Sequence, residues 1–562
     1  MSEVIQVDGA PGTGKSHTMR EWLAKERDEG LKPHEFYWST FTVAAREDVQ
    51  PQLREIFPRA ESVEERATTL HSLALSLLVR GELIDMNPRE AAPGPIIVQG
   101  TFGEDETDPF KQFANSHGMR YDAEAADPRK LLRGDEQTNY VGNRIFAVND
   151  YLRQTCKSPD QWQDAPVDIP LPKERVETLL EKWTEYKREA FPYRLFEHGD
   201  YIDMAYDEGV TPAVDVLLID EFQDFAPLEY RLYKQWRDSG VIDRIYLAGD
   251  PNQSIYGFRG ATSYYFKNTD RDELIDLKES YRCPAEIAAV GNAVLSSHPE
   301  TDPRGFAGRD SGGTARWLPA TDKWDLQSHV IESAERYAAA ETPVMMLTRT
   351  NRQLRQLTKD LRVVGIPFEI LGTVPGVWRG TLSNILKFLN NWKAGGSAFV
   401  YENLDTVLEN LPDGAERKEH VGYDGAISIS RRPVMDREAI ADAFTGFADA
   451  REIADTLTVD KWKRDVLINA LDAPAAISPA DVKVGTIHTA KGLEAPSVYL
   501  FTTTSKETTR KYARSDTHAA EEHRVYYVGA TRASEELNLL RLYFDGPTAP
   551  PIRKLRANGG VV

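Results

Sequence analysis

Cysteine is nearly absent. Cys156 and Cys283 are the only two in 562 residues, far apart and without a second pair, which excludes a disulfide framework and a cysteine-based zinc site. No apolar run approaches the roughly 20 residues a membrane span needs, and the opening Met-Ser-Glu-Val-Ile-Gln lacks the basic and apolar stretches of a signal peptide. The expectation is a cytoplasmic protein with no membrane partner. Basic residues are in deficit, with 68 Lys and Arg against 88 Asp and Glu and a formal net charge of −20. That average argues against a phosphate-rich partner, because binding phosphate requires local cations. It does not exclude one, since acids on outer faces and bases in one groove sum to the same total. The acidity would suit a salt-rich cytoplasm, in a halophilic host or its virus, and it equally fits an ordinary acidic protein.

What is present is an apolar run that stops abruptly. Asp215 to Asp224 reads Asp-Val-Leu-Leu-Ile-Asp-Glu-Phe-Gln-Asp. A β-branched-rich run with no polar interruption predicts a strand buried on both faces, as in a parallel sheet. Ligands of open α/β sheets bind beyond the carboxyl ends of such strands, so Asp220 and Glu221 emerge where a phosphate-bearing ligand would lie. Val4 to Asp8 predicts another strand, followed by Gly9-Ala10-Pro11-Gly12-Thr13-Gly14-Lys15-Ser16 and a helix. This is a P-loop in its required context. Gly9, Gly12 and Gly14 let backbone N–H groups turn toward phosphate, Lys15 reaches the terminal phosphates, and the Ser16 hydroxyl takes Mg²⁺. Nucleotide binding follows; the work done with it does not.

The rest of the chain alternates between α/β blocks and looser segments. Phe36–Thr42 predicts a strand whose end carries Phe41 and Thr42, and His71 follows in Leu70–Ala74. From about Gly81 an insertion begins, closed by helices near Val141–Lys157 and Lys173–Ala190; in the second, Val176, Leu179, Leu180 and Trp183 fall at core spacing. Arg244–Ala248 predicts a strand that ends in Gly249-Asp250-Pro251-Asn252-Gln253-Ser254-Ile255-Tyr256-Gly257-Phe258-Arg259. Gln253 could sense a terminal phosphate, while Tyr256, Phe258 and Arg259 offer π faces and a cation for stacked bases, or form a plain aromatic loop. Past Tyr281-Arg282 a second α/β pattern starts, with a strand at Val344–Thr348, a helix at Asn351–Val364 and a strand at Pro367–Leu371. A mainly helical stretch then carries patterns near Thr381–Lys393, Arg437–Leu457 and Val459–Leu471, before the strands resume around Val482–Glu494, Ser497–Phe501 and Glu536–Leu540, with a helix at Glu521–Ala533.

Taken together, the P-loop, Thr40–Arg46, Thr69–Ser72, Asp220–Asp224, Gly249–Ala261, Tyr281-Arg282, Thr486–Glu494 and Glu521–Ala533 resemble, in order, the motifs of superfamily 1A DNA helicases of the UvrD/Rep/PcrA type. The resemblance spans residues 9 to 533. It implies an α/β fold with two RecA-like P-loop motor domains, each carrying a mainly helical insertion. Motor domain 1A would take residues 1–80 and 193–276 with insertion 1B at 81–192. Motor domain 2A would take 277–372 and 481–546 with a reduced 2B-like insertion at 373–480, leaving 547–562 as a loose tail.

The resemblance further implies an ATP-dependent translocase and helicase moving 3′ to 5′ on single-stranded DNA, in repair, replication or recombination, with ATP and Mg²⁺ as cofactors. Its partners would be single strands, single-strand/duplex junctions and a protein that loads it. By matching positions, Ser16 and Asp220 would hold Mg²⁺, Glu221 would be the base, Gln253 would contact the terminal phosphate, and Arg282 and Arg532 would be arginine fingers from the second motor domain. Tyr281 would stack on adenine and Glu494 would contact ribose. The strand track would be Phe41, Thr42, His71, Tyr256, Phe258, Arg259 and His488. This sequence departs from the family in placing His17 after Ser16, in lacking the upstream adenine-reading glutamine segment, for which Gln6 lies too close to the loop, and in shortening the second insertion. The last departure keeps open an alternative, a DNA-stimulated NTPase of a defence or partner-loading system with little unwinding of its own. If Arg532 acts as implied, Arg532→Ala slows ATP hydrolysis while single-strand affinity is retained, checked by steady-state ATPase and oligonucleotide-binding assays on the same preparation.

Overall fold

Short apolar runs rich in β-branched and aromatic residues form the strands at the centre of each half of the chain. The computed structural model describes residues 1–86, 94–99, 102, 107–123, 127–133, 140–191, 193–301, 305–310, 312–318, 322–338, 340, 342–372, 380–412, 427–429, 432–472, 477–541 and 546–557. Of the stretches after Gly81 where the pattern loosens, Asn87–Pro95 and Gly103–Pro109 lie largely outside them, whereas Ala125–Gly134 is mostly described and contains the helix Pro128–Arg133. Two compact units are present. Unit 1 comprises Met1–Arg282, His298–Arg309 and Ala520–Arg524; unit 2 comprises Cys283–Ser297, Asp310–Ala519 and Val525–Val562.

In unit 1, β1 (Glu3–Gly9), β2 (Phe36–Thr40), β3 (Ala67–Thr69), β4 (Val216–Ile219), β5 (Arg244–Gly249) and β6 (Glu273–Leu277) form a sheet in the order β3-β2-β4-β5-β1-β6. Every pairing in it is parallel. The four residues of β4 are all buried, as its uninterrupted apolar pattern requires. Each such side chain contributes roughly 1.5–3 kcal/mol of burial. Helices α1 (Lys15–Asp28), α2 (Val43–Ile56) and α3 (Leu70–Arg80) follow β1, β2 and β3, the last two starting at Thr42 and Thr69, whose side chains accept the amides of Ala45 and Ser72.

The insertion holds α4 (Pro109–Ser116), α5 (Pro128–Arg133), α6 (Val141–Gln154) and α7 (Lys173–Glu189). The last two match the expected helices to within a few residues. Val176, Leu179, Leu180 and Trp183 are buried with Phe110, Phe113 and Phe146 in a core of the insertion's own. Two further helices, α8 (His198–Asp207) and α9 (Pro227–Asp238), flank β4 in sequence.

A buried ionic cluster ties α6 and α7 to α8. The Lys187 ammonium donates to Asp200 and, at 2.6 Å, to Glu197, and Arg153 reaches Asp200 at 3.0 Å and Asp203 at 2.8 Å. Burial raises the cost of ionising Asp200, but Lys187 and Arg153 outweigh it and hold its carboxyl below the usual aspartate range.

Unit 2 contains a second parallel sheet, ordered Glu369–Ile370, Val482–Thr486, Val344–Thr348, Ala495–Phe501, Ala533–Leu540, Thr314–Leu318. Its insertion carries the expected helix Thr381–Lys393 and a helix Lys461–Asp472. The expected single helix at Arg437–Leu457 is broken instead, into Arg437–Ile440, a tight turn at Ala441–Phe444 and Ala450–Thr456. Asp449 causes the restart: its side chain accepts the amides of Arg451 and Glu452, a cap that begins a new helix. The insertion also holds an unanticipated antiparallel sheet of Ala398–Val400, Arg432–Asp436 and Ile427–Ile429. Its apolar residues and those of the motor sheet form one continuous core, with Phe388, Phe399 and Met435 in the same cluster as Val344, Val482 and Phe501.

The tail expected to be loose is partly ordered: Pro550–Ala557 is a helix, because Ile552 and Leu555 share one face and are buried. Among the described residues no helix is long and apolar enough to cross a membrane.

Replacing Lys187 with methionine removes the cation shared by Asp200 and Glu197 and leaves Arg153 as the cation facing Asp200, so Lys187→Met costs about 3 kcal/mol at neutral pH, measured by urea denaturation. In the wild type the folded Asp200 value lies below its unfolded one. Its contribution is therefore present above the ordinary aspartate value of about 3.9 and is lost only as pH falls below it.

Candidate functional site

The site in unit 1 grows from the carboxyl ends of β1, β4 and β5. After β1 the chain turns through Gly12 and Gly14, with φ of 71° and 94°, a region open to glycine at no steric cost. A side chain on Gly12 would also meet the Cβ of Arg282 at 2.2 Å, and one on Gly9 would meet the Thr13 hydroxyl at 2.4 Å. Gly14 precedes α1, whose first residues are Lys15 and Ser16. The loop's amides and the α1 N-terminus thus form a cradle suited to phosphate. The Lys15 ammonium donates to the carbonyls of Gly9 and Ala10 at 2.8 and 3.2 Å.

Residues 280–282 lie on this loop. The Tyr281 amide donates to the Gly12 carbonyl at 2.8 Å and the Ser280 hydroxyl to the Pro11 carbonyl at 2.7 Å. Residues 280–282 accordingly belong to unit 1. The Tyr281 ring is 76 % exposed, beside Gly14, an open π face next to the cradle.

At the end of β4, Glu221 adopts φ 57°, ψ 34°, a left-handed conformation rare for a side-chain-bearing residue and costing on the order of 1–3 kcal/mol. Neighbours hold it there. Asp220 Oδ1 accepts the Glu221 amide at 2.8 Å, and Gln223 Nε2 donates to Glu221 Oε2 at 2.6 Å. Gln223, fully buried, accepts the Asp250 amide on its Oε1 at 3.0 Å, and Asp250 Oδ2 accepts from Gln253 Nε2 at 3.0 Å. A continuous hydrogen-bonded path therefore runs from Glu221 to Gln253. Its close approach is possible because residue 249 is glycine, where a Cβ would fall 2.4 Å from Gln223 Oε1. The linking roles of Gln223 and Asp250 were not readable from the sequence, which shows them only as polar residues at two strand ends.

The segment that carries Gln253 continues directly into an aromatic groove. Phe41 stacks on Tyr256, centroids 5.5 Å apart and planes 22° apart, and the Arg259 guanidinium lies 4.9 Å from the Phe41 centroid. Tyr256 meets Phe258 edge-on at 6.0 Å. Arg259 and His71 both face the Glu229 carboxylate, at 2.9 and 3.9 Å. Thr42 is at the groove's edge as the α2 cap. Phe258 is placed differently from an open stacking face: it packs against Leu131, Leu132 and Ala147 of the insertion, with Arg133 4.8 Å from its centroid.

The remaining predicted residues lie in unit 2. His488 is buried just past strand Val482–Thr486, and Glu494 is exposed on the turn that follows. Arg532 is 1 % exposed; its Nε donates to the Val528 carbonyl at 3.0 Å and Nη1 to the Leu493 carbonyl at 3.2 Å. The backbone also joins these segments, since the Ala495 amide donates to the Arg532 carbonyl at 3.0 Å.

The chain is similar to known proteins along most of its length. Residues 1–259 match the family described as "AAA domain", and residues 454–541 match "UvrD-like helicase C-terminal domain". Among curated relatives, the ATP-dependent DNA helicase PcrA of Staphylococcus epidermidis is 24 % identical, over 94 % of this chain and 79 % of its own. The protein of the same name from Leuconostoc citreum is 22 % identical over 96 % and 81 %, and that of Staphylococcus aureus is 22 % identical over 95 % and 81 %. Matches at both ends, relatives aligned over nearly its full length and two parallel-sheet units each bearing an insertion together support a UvrD/PcrA-type superfamily 1 helicase.

Proposed function

We propose that this chain is an ATP-dependent DNA translocase and helicase that moves 3′ to 5′ on single strands in DNA repair, replication or recombination. The observation that carries the proposal is the single segment Gly249–Arg259: one end is hydrogen-bonded to Glu221 through Gln223, and the other forms the aromatic and cationic groove with Phe41. A change at the phosphate end is thereby coupled, through a short rigid path, to the residues placed to grip bases.

In this reading the loop amides and Lys15 bind the phosphates, Tyr281 stacks on adenine and Glu494 contacts ribose. The Ser16 hydroxyl and Asp220 carboxylate are hard oxygen donors, the type that suits Mg²⁺, and the glycine-lined cradle leaves room for the phosphates it accompanies. When bound there, Mg²⁺ neutralises charge on the terminal phosphates. Glu221, held in its strained conformation, accepts the proton of the attacking water and aligns it in line with the bond that breaks. Gln253 donates to the terminal phosphoryl group. Arg282 and Arg532 supply positive charge as negative charge builds on the transferring oxygens. Phe41, Tyr256 and Arg259 give the strand track a stacking grip tolerant of sequence, and Thr42, His71, Phe258 and His488 complete the track around them. A net negative charge does not preclude DNA binding, because affinity depends on local charge, and it weakens as salt rises.

Glu221→Gln should lower ATP turnover by a factor on the order of 10²–10⁴, the usual contribution of a general base, while nucleotide binding, read by a fluorescent ATP analogue, stays near wild type. Normal turnover in this variant would remove Glu221 as the base. The proposal as a whole is tested by strand displacement on duplexes with 3′ or 5′ single-stranded tails across a salt series. Opening of 3′-tailed duplexes alone is expected. ATP hydrolysis stimulated by single strands without opening of either substrate would replace it with a DNA-stimulated NTPase that acts through a loading partner.

A further inference from the structure

A buried acid lies beneath the groove in unit 1. Glu229, in the first turn of α9, is 2 % exposed. Its Oε2 accepts the Ala226 amide at 2.7 Å and so caps the helix. Its Oε1 accepts from Arg259 Nη2 at 2.9 Å and faces His71 Nε2 at 3.9 Å. Arg259 in turn lies over Phe41, which stacks on Tyr256. Residues from α3 and from the segment after β5 thus meet one carboxylate delivered by a third element, and Phe41 beyond the end of β2 is reached through Arg259.

The placement is electrostatically unusual. An anion beside a path for phosphates repels them unless it is neutralised, and a buried unpaired carboxylate is costly in itself. Pairing with Arg259, whose side chain is only 19 % exposed, resolves both. The charge-assisted bond removes the arginine's freedom to swing into solvent and holds its planar fork against Phe41. The ordering cost of the groove is then met on folding, before any strand arrives.

We propose that Glu229 is the positioning residue of the single-strand groove: it fixes Arg259, and through it the Phe41–Tyr256 pair, without touching the strand. This inference rests on the single-strand reading above, and the experiment separates the two. Glu229→Gln keeps the length of the side chain and one acceptor oxygen but loses the charge. In the full-length protein, the affinity for a short fluorescent oligodeoxythymidine and the oligonucleotide concentration that half-saturates ATP hydrolysis should both worsen about ten-fold, the scale of one lost charge-assisted bond. The maximal rate at saturating oligonucleotide should stay close to wild type. In an Arg259→Gln background, adding Glu229→Gln should change nothing further.

Unchanged or tighter binding by Glu229→Gln, alongside weakened binding by Phe41→Ala, would overturn the inference and leave the groove standing. A loss of maximal rate that persists in the Arg259→Gln background would overturn it in favour of a purely structural role. If Phe41→Ala binds like wild type, the groove reading fails and this inference fails with it. Should Glu229→Gln not fold, as judged by circular dichroism, Glu229→Asp withdraws the same charge by one methylene and carries the same expectations.

Discussion

The structure depends on one constraint above others: β4 and β5 are parallel neighbours in register, with Val216 opposite Arg244 and Ile219 opposite Leu247. Neighbouring parallel strands end on the same edge of the sheet, so Glu221 and Asp250 must emerge side by side. Gln223 then bridges them with its two ends, donating to one and accepting from the other. A substitution at Gly249 would close the space this bridge occupies. The strained backbone of Glu221 is tolerated because these bonds determine it from both sides.

Two buried acids of unit 1 are handled in the same manner. The chain carries a net charge of −20, yet these two are partnered by cations. Asp200 meets Lys187 and Arg153, and Glu229 meets Arg259. Neutralised inside, these acids contribute orientation. The net charge of the sequence therefore says little about the groove, where the arrangement of a few side chains decides the local potential.

The two insertions are built on different principles. That of unit 1 has its own aromatic core around Phe110, Phe146 and Trp183, and it reaches the aromatic segment through Leu131, Leu132 and Arg133 at Phe258. That of unit 2 shares one continuous core with its motor sheet. Among the described residues the second insertion is thus an extension of the motor domain's own packing, sharing its hydrophobic interior.

Local chemistry was legible in the sequence wherever it is local in cause. The phosphate loop, the buried strands, the helix Thr381–Lys393 and the core positions of α7 follow from glycine spacing, uninterrupted apolar runs and periods of 3.6 residues. A helix cap at Asp449, short antiparallel strands near Ala398 and Arg432, and an ordered helix at Pro550–Ala557 escaped notice, because a side-chain cap overrides periodicity and short segments gain their stability from neighbours distant in sequence. The candidate site divides along the same line. Lys15, Glu221 and Gln253 could be named from motifs alone. That Gln223 joins the second to the third, that Phe258 packs on the insertion, and that Glu229 lies under Arg259 were decided only by tertiary structure, since each contact pairs residues from separate elements and no local pattern specifies which elements meet.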